Sequence, residues 1–121
     1  MEFIENTDHI PYMYVFVRTD MTAAQQIVQA AHVTYDAGQK FEKTEHPLHL
    51  ILFGVKDQAE LLKASTRIGI DNVDHCMFYE PDFDTGYTAI ATEPLYGDDR
   101  NVMRKYNLYL PDTDATKLIS A

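Results

Sequence analysis

Gln25, Gln29, His32 and Asp36 stand at i, i+4, i+7 and i+11 of a segment with helical spacing. At ~100° per residue these four share one stripe ~60° wide. A histidine near a carboxylate is a suitable general base near neutral pH, able to orient or activate water. Asp20, just upstream, offers another carboxylate. Ile27, Val28, Ala31 and Tyr35 form the opposing apolar stripe, and Ala23, Ala30, Val33 and Ala37 keep the flanks small. A surface helix would show a broad polar face. This narrow seam instead predicts a helix packed on several sides and lining a cleft. Each candidate also has a plainer reading. His32 could be a buried histidine satisfied by a carboxylate, Gln25 the capping-box partner of Thr22, and Asp20 a helix-start charge that complements the dipole.

The elements that must position these residues follow from hydropathy. Residues 11–18 (PYMYVFVR) are apolar at odd and even positions, as in a central strand buried on both faces. Thr22 and Gln25 form a capping box that opens the first helix, and Gly38 is its expected C-cap. Residues 47–55 (PLHLILFGV) read as a second interior strand. Asp57 with Glu60 opens a second helix that puts Leu61, Ala64 and Ile68 on its core face and ends at Gly69. Residues 73–80 form a third strand, Pro81 to Gly86 a turn, and 87–92 a fourth strand, antiparallel to the third because the turn is too short for a crossover. Asp98 is expected to cap a short helix through Lys105, with a last extended piece at 106–110. The expected fold is therefore α/β, a three-layer sandwich with a four-stranded mixed sheet and helices on both faces. Residues 1–9 are expected to form a flexible arm and 10–121 a single domain.

Composition narrows the function classes. A chain of 121 residues with 45% hydrophobic content suits one domain with a real core. A single cysteine excludes an internal disulfide framework, and Cys76, in an apolar segment, is expected to be a buried thiol. No apolar run is long enough to predict a membrane span. The acidic start lacks the basic opening of a signal peptide, so a cytoplasmic location is expected. The net charge of -9 is uneven: no Lys or Arg lies between Arg67 and Arg100, an interval holding eight acids from Asp71 to Asp99. Such a patch repels phosphate backbones. His46 and His49 straddle a strand entrance, point to opposite faces and have no companion ligand, so no metal site is expected. No cofactor motif is present.

The strand ending Arg18-Thr19-Asp20-Met21, followed by the helix Ala24-Gln25-Gln26-Ile27-Val28-Gln29-Ala30-Ala31-His32-Val33, resembles the type II peptidyl-tRNA hydrolases. Asp20, Gln29 and His32 match that family position for position. Arg67-Ile68-Gly69-Ile70 is similar to its helix-ending segment, and Thr88-Ala89-Ile90-Ala91-Thr92-Glu93-Pro94 to its last strand, so the resemblance spans roughly residues 11–110. Two departures stand out. The family's helix-start lysine falls on Gln25 and its glycine on Ala24. The family's Asp-Ala-Gly-x-Thr segment has two counterparts here: Asp84-Thr85-Gly86-Tyr87-Thr88 by local motif, or Asp82 by strand register, where Phe78-Tyr79-Glu80 precedes it. The plain alternative for both aspartates is a turn role.

The resemblance implies hydrolysis of the ester between peptide and tRNA, with activity weakened or lost. It puts His32, Asp82, Asp84 and Asp20 forward as catalytic residues and Arg18, Gln25, Gln29 and Thr88 as substrate-binding residues. It further implies tRNA as partner and a homodimer. The alternative is a non-catalytic relative that holds a small nucleotide-like ligand, which the loss of the lysine and the acidic 71–99 interval both favour.

Overall fold

The computed structural model describes residues 7–110. The expected domain's last stretch, 111–121, and the first six residues of the expected arm lie outside that range; Thr7–His9 form a 3-10 turn. Four strands, β1 (Tyr12–Arg18), β2 (His49–Val55), β3 (His75–Glu80) and β4 (Gly86–Thr92), build one sheet in the order β2-β1-β4-β3. β1 and β2 are parallel, whereas β4 runs antiparallel to both β1 and β3. Helix α1 (Ala23–Lys40) connects β1 to β2, and α2 (Gln58–Ile70) connects β2 to β3. The result is the three-layer mixed α/β sandwich expected from the strand–helix order.

The period of two along β1 sorts its side chains into both halves of the core. Met13 and Val15 pack with Val33 and Ala37 of α1 and Ala89 and Ala91 of β4. Tyr14 and Phe16 pack on the other face with Phe53, with Leu61, Ala64 and Ile68 of α2, and with Met103. The last belongs to a 3-10 helix, Gly97–Lys105, that shares this face.

Helix starts follow local chemistry. Thr22 accepts from the Gln25 N–H while Gln25 Oε1 accepts from the Thr22 N–H, the reciprocal capping box. Asp57 accepts from the Glu60 N–H at the start of α2. Helix ends are less obedient. α1 runs through Gly38 to Lys40 with Phe41 as C-cap, since nothing at Gly38 demands a left-handed backbone. Gly97–Lys105 has Tyr96 at its N-cap with no side-chain cap, so Asp98 does not cap it as expected.

Two expectations fail in an informative way. Residues 47–55 do not make an interior strand: β2 is an edge, with Leu50 55% exposed. Its α2 face packs on the core, whereas its α1 face is only partly covered and leaves Leu50 accessible. Ile51 and Phe53 face the α2 half of the core, and Leu48 and Leu52 the α1 half. Its open side is partly covered by the chain at 107–109, through Gly54 N–H to the Asn107 carbonyl at 3.3 Å and Tyr109 N–H to the Leu52 carbonyl at 2.8 Å. A Cβ on Gly54 would press on Thr19 Cγ2 at 3.2 Å, with the Tyr109 backbone close behind at 3.6 Å. Second, α1 is not packed on several sides. It buries Gln29, Val33 and Ala37, and turns Ile27 (70% exposed) and Tyr35 (67%) outward.

Candidate functional site

The carboxyl end of β1, the first turns of α1 and the β3–β4 connection meet around a cavity of about 260 Å³. It is lined by Met21, Ala24, Gln25, Val28, Gln29, Glu80, Asp82, Phe83 and Thr85. Gln29 is the hinge of its polar wall. Its side chain is nearly buried, and both ends of the amide are engaged: Oε1 accepts from the Thr88 hydroxyl at 2.6 Å and Nε2 donates to Glu80 Oε2 at 3.2 Å. The other Glu80 oxygen accepts from the Asp82 N–H at 3.1 Å. One helix residue thereby ties β4, β3 and the connecting turn together. The Asp82 carboxylate makes no hydrogen bond or ion pair among the described residues.

The turn itself is unusual. Asp82–Asp84 forms a 3-10 segment in which Phe83 (φ 56) and Asp84 (φ 55) both take the left-handed region, which costs a non-glycine residue steric strain. Phe83 is 98% exposed at the rim of the cavity. The segment is held by the Thr85 hydroxyl and N–H, both donating to the Asp82 carbonyl. Gly86 follows at φ 83, and a side chain there would run into Gln58, whose Oε1 accepts from the Tyr87 N–H at 2.6 Å.

Arg18 staples this turn to β1. Its guanidinium grips Asp20 with two parallel hydrogen bonds at 2.9 Å, and its remaining nitrogen donates to the carbonyls of Thr85 at 2.6 Å and Tyr87 at 3.0 Å. These hydrogen bonds hold the Asp20 carboxyl below the usual carboxylate range. Arg18 and Asp20 are thus spent on each other and on the backbone.

Of the residues singled out from sequence, Gln25, Gln29 and Asp82 come together around the cavity, with Thr88 directly behind Gln29. Gln25 Oε1 is committed to the N–H and hydroxyl of Thr22. Asp84 and His32 are not among the cavity's lining residues. His32 is exposed and lies flat on Phe78, with ring centroids 4.6 Å apart and planes 6° from parallel; no carboxylate bonds it among the described residues. Glu80 was visible in sequence only as one more acid. Strand parity could have found it, because Cys76, Phe78 and Glu80 share one face of β3 and meet Val33, His32 and Gln29 of α1 in turn. Cys76 is only half-buried, with burial pushing its thiol pKa up. His46 packs against His9 in a tilted contact, and His49 stacks on Tyr12. Among the described residues no group of three or more His, Cys, Asp or Glu could hold a metal ion, and no helix is long and apolar enough to cross a membrane.

No family model matches the chain, and no curated protein matches it. The fold is similar to that of a protein of unknown function, Atu0240, from Agrobacterium tumefaciens strain C58. That likeness has a TM-score of 0.61 at 11% identity, over 83% of this chain and 98% of the other. At such identity it is a likeness of fold alone.

Proposed function

We propose that the cavity beside α1 is the working site of a divergent peptidyl-tRNA hydrolase-like domain acting on the ester that joins a peptide to the tRNA ribose. The observation that carries this reading is that Asp82, Gln25 and Gln29 line one cavity. Gln29 is a direct match to the resembled family, Gln25 stands at the family's lysine position, and Asp82 is the family aspartate by strand register. An aspartate with no protein partner can orient water and accept its proton as the ester carbonyl is attacked, while the ribose hydroxyl leaves with a proton. Gln29, clamped by Thr88 and Glu80, supplies a fixed wall for the substrate's polar atoms. Turnover should be slow. The lining includes no Lys or Arg, and Gln25 is neutral and already engaged as a cap.

That same absence of a cation favours a second reading, in which the cleft binds a small, nucleoside-like ligand without cleaving anything. Peptidyl-tRNA turnover by the full chain separates the two. The hydrolase reading expects slow release, lost in Asp82→Asn, retained in Asp84→Asn and raised ~10²-fold in Gln25→Lys, the usual worth of one preorganised electrostatic group. Nucleoside binding by a wild-type protein that, like Gln25→Lys, releases nothing would favour the second.

The same proposal includes a cytoplasmic location and pairing with a second copy through the outward stripe of α1. The resemblance implies the pairing, and the exposure of Ile27, Val28 and Tyr35 beside Leu50 supports it.

A further inference from the structure

The geometry points to a second binding site, on the opposite face of the sheet, for a small phosphate-bearing molecule. Between the carboxyl end of β2, α2 and the end of the 3-10 helix Gly97–Lys105 lies a cavity of about 420 Å³. Its lining includes Lys56, Lys63, Arg67 and Lys105, with Glu60 as the one acid. The chain as a whole carries -9 with only ten Lys and Arg, so four cations around one concavity run against its general charge. Sequence shows how they meet. Lys56 sits between the end of β2 and the start of α2, Lys63 and Arg67 are one turn apart on α2, and Lys105 arrives from the far end of the chain.

Two of these cations are already balanced: Lys63 lies 3.7 Å from Glu60, and Lys105 lies 2.6 Å from Asp71. The side chains of Lys56 and Arg67 have no ion pair or hydrogen bond among the described residues. An unpaired guanidinium and ammonium on a concave wall make a ready clamp for a phosphate, which Arg can take in bidentate fashion. Tyr106 lines the same cavity, and its buried hydroxyl has no hydrogen-bond partner among the described residues. A buried O–H without a partner is uncommon in folded proteins, and this one is shut off from solvent, so Tyr106 contributes its ring to the cavity wall. The occupant is a small molecule rather than a nucleic-acid strand, because the cations ring one cavity instead of tracking an extended groove.

The test is calorimetric titration of the full chain with pyrophosphate at low salt. Saturable binding is expected. Lys63→Gln/Arg67→Gln, and separately Lys56→Gln, should weaken it ~10-fold or more, the order of one or two lost charge-assisted bonds. Lys40→Gln/Lys43→Gln, which removes the same charge elsewhere, should change it less than about twofold. Circular dichroism establishes that each variant is folded. No heat up to about 10 mM pyrophosphate, or equal losses in the cavity and control variants, would overturn the site. Tighter binding of a single-stranded RNA than of pyrophosphate would overturn the small-molecule assignment.

Discussion

The Thr88–Gln29–Glu80 chain offers a quantitative test of how the α1 cavity is held. Thr88 is fully buried and Gln29 is 5% exposed, and their 2.6 Å hydrogen bond joins β4 to α1 across the core. Thr88→Val keeps the shape of the side chain but leaves Gln29 Oε1 buried without a donor, at a cost of ~1–3 kcal/mol. Gln29→Leu removes the acceptor instead. The Thr88 hydroxyl then retains only the long 3.5 Å contact to the Phe78 carbonyl, while Glu80 keeps the Asp82 N–H and gains water; ~1–2 kcal/mol is expected. Replacing both leaves an apolar pair with no orphaned atom. The double variant should therefore be more stable than the sum of the single losses by ~1 kcal/mol or more. Urea unfolding followed by circular dichroism reads this directly, since the chain has no Trp. Equal m-values across the set would certify a common unfolded reference. Single-variant losses that add to within ~0.5 kcal/mol would refute the claim that the bond is what these residues contribute.

Two further perturbations follow from the same geometry. Because Arg18 depresses the folded-state pKa of Asp20, the pair stabilises fully above the unfolded value of ~3.9 and loses its contribution as pH falls through the lowered folded value. Asp20→Asn should thus lower the urea midpoint at pH 6 by the equivalent of under ~1 kcal/mol, a small effect because Asp20 is 38% exposed, and should match wild type near pH 2. If α1 pairs two copies, Tyr35→Glu should convert a dimer to a monomer in light scattering without lowering stability, since Tyr35 is 67% exposed. A wild-type monomer at all concentrations would dispose of the pairing.

Much of this fold was legible because it depends on local chemistry. Thr22 with Gln25, and Asp57 with Glu60, are helix starts that a dozen residues suffice to specify. The double-sided apolarity of β1 marked it as central. The same signal misplaced β2, because an apolar run does not reveal whether a strand is paired on both edges or covered on both faces. The α1 stripe was read in correct phase but partly inverted. Of its polar residues Gln29 alone is buried, because Thr88 and Glu80 provide partners, contacts that span up to 59 residues of chain. A buried glutamine is acceptable only once those partners are in place, and no local pattern announces them. His32 turned out not to join the cavity because one helical turn beyond Gln29 the facing strand residue is the Phe78 ring.

The two sites have a common topological origin. The chain leaves β1 over one face of the sheet, through α1, and leaves the adjacent parallel strand β2 over the other, through α2. Where connections from neighbouring strands part in this way, a crevice opens beyond their carboxyl ends, and open α/β sheets bind ligands there. In this protein Thr19 extends the β1–β2 pairing by one step beyond the strand, its N–H and hydroxyl both donating to the Val55 carbonyl at 2.8 and 3.2 Å. One cavity opens on each face of the sheet near those strand ends. The α1 side is bordered by the β3–β4 connection, which comes from the stretch without Lys or Arg, and so presents Glu80 and Asp82. The α2 side is bordered by α2 itself and by the end of the 97–105 helix, which flank that stretch in sequence and carry the cations. An uneven charge distribution along the chain thus becomes two cavities of opposite sign.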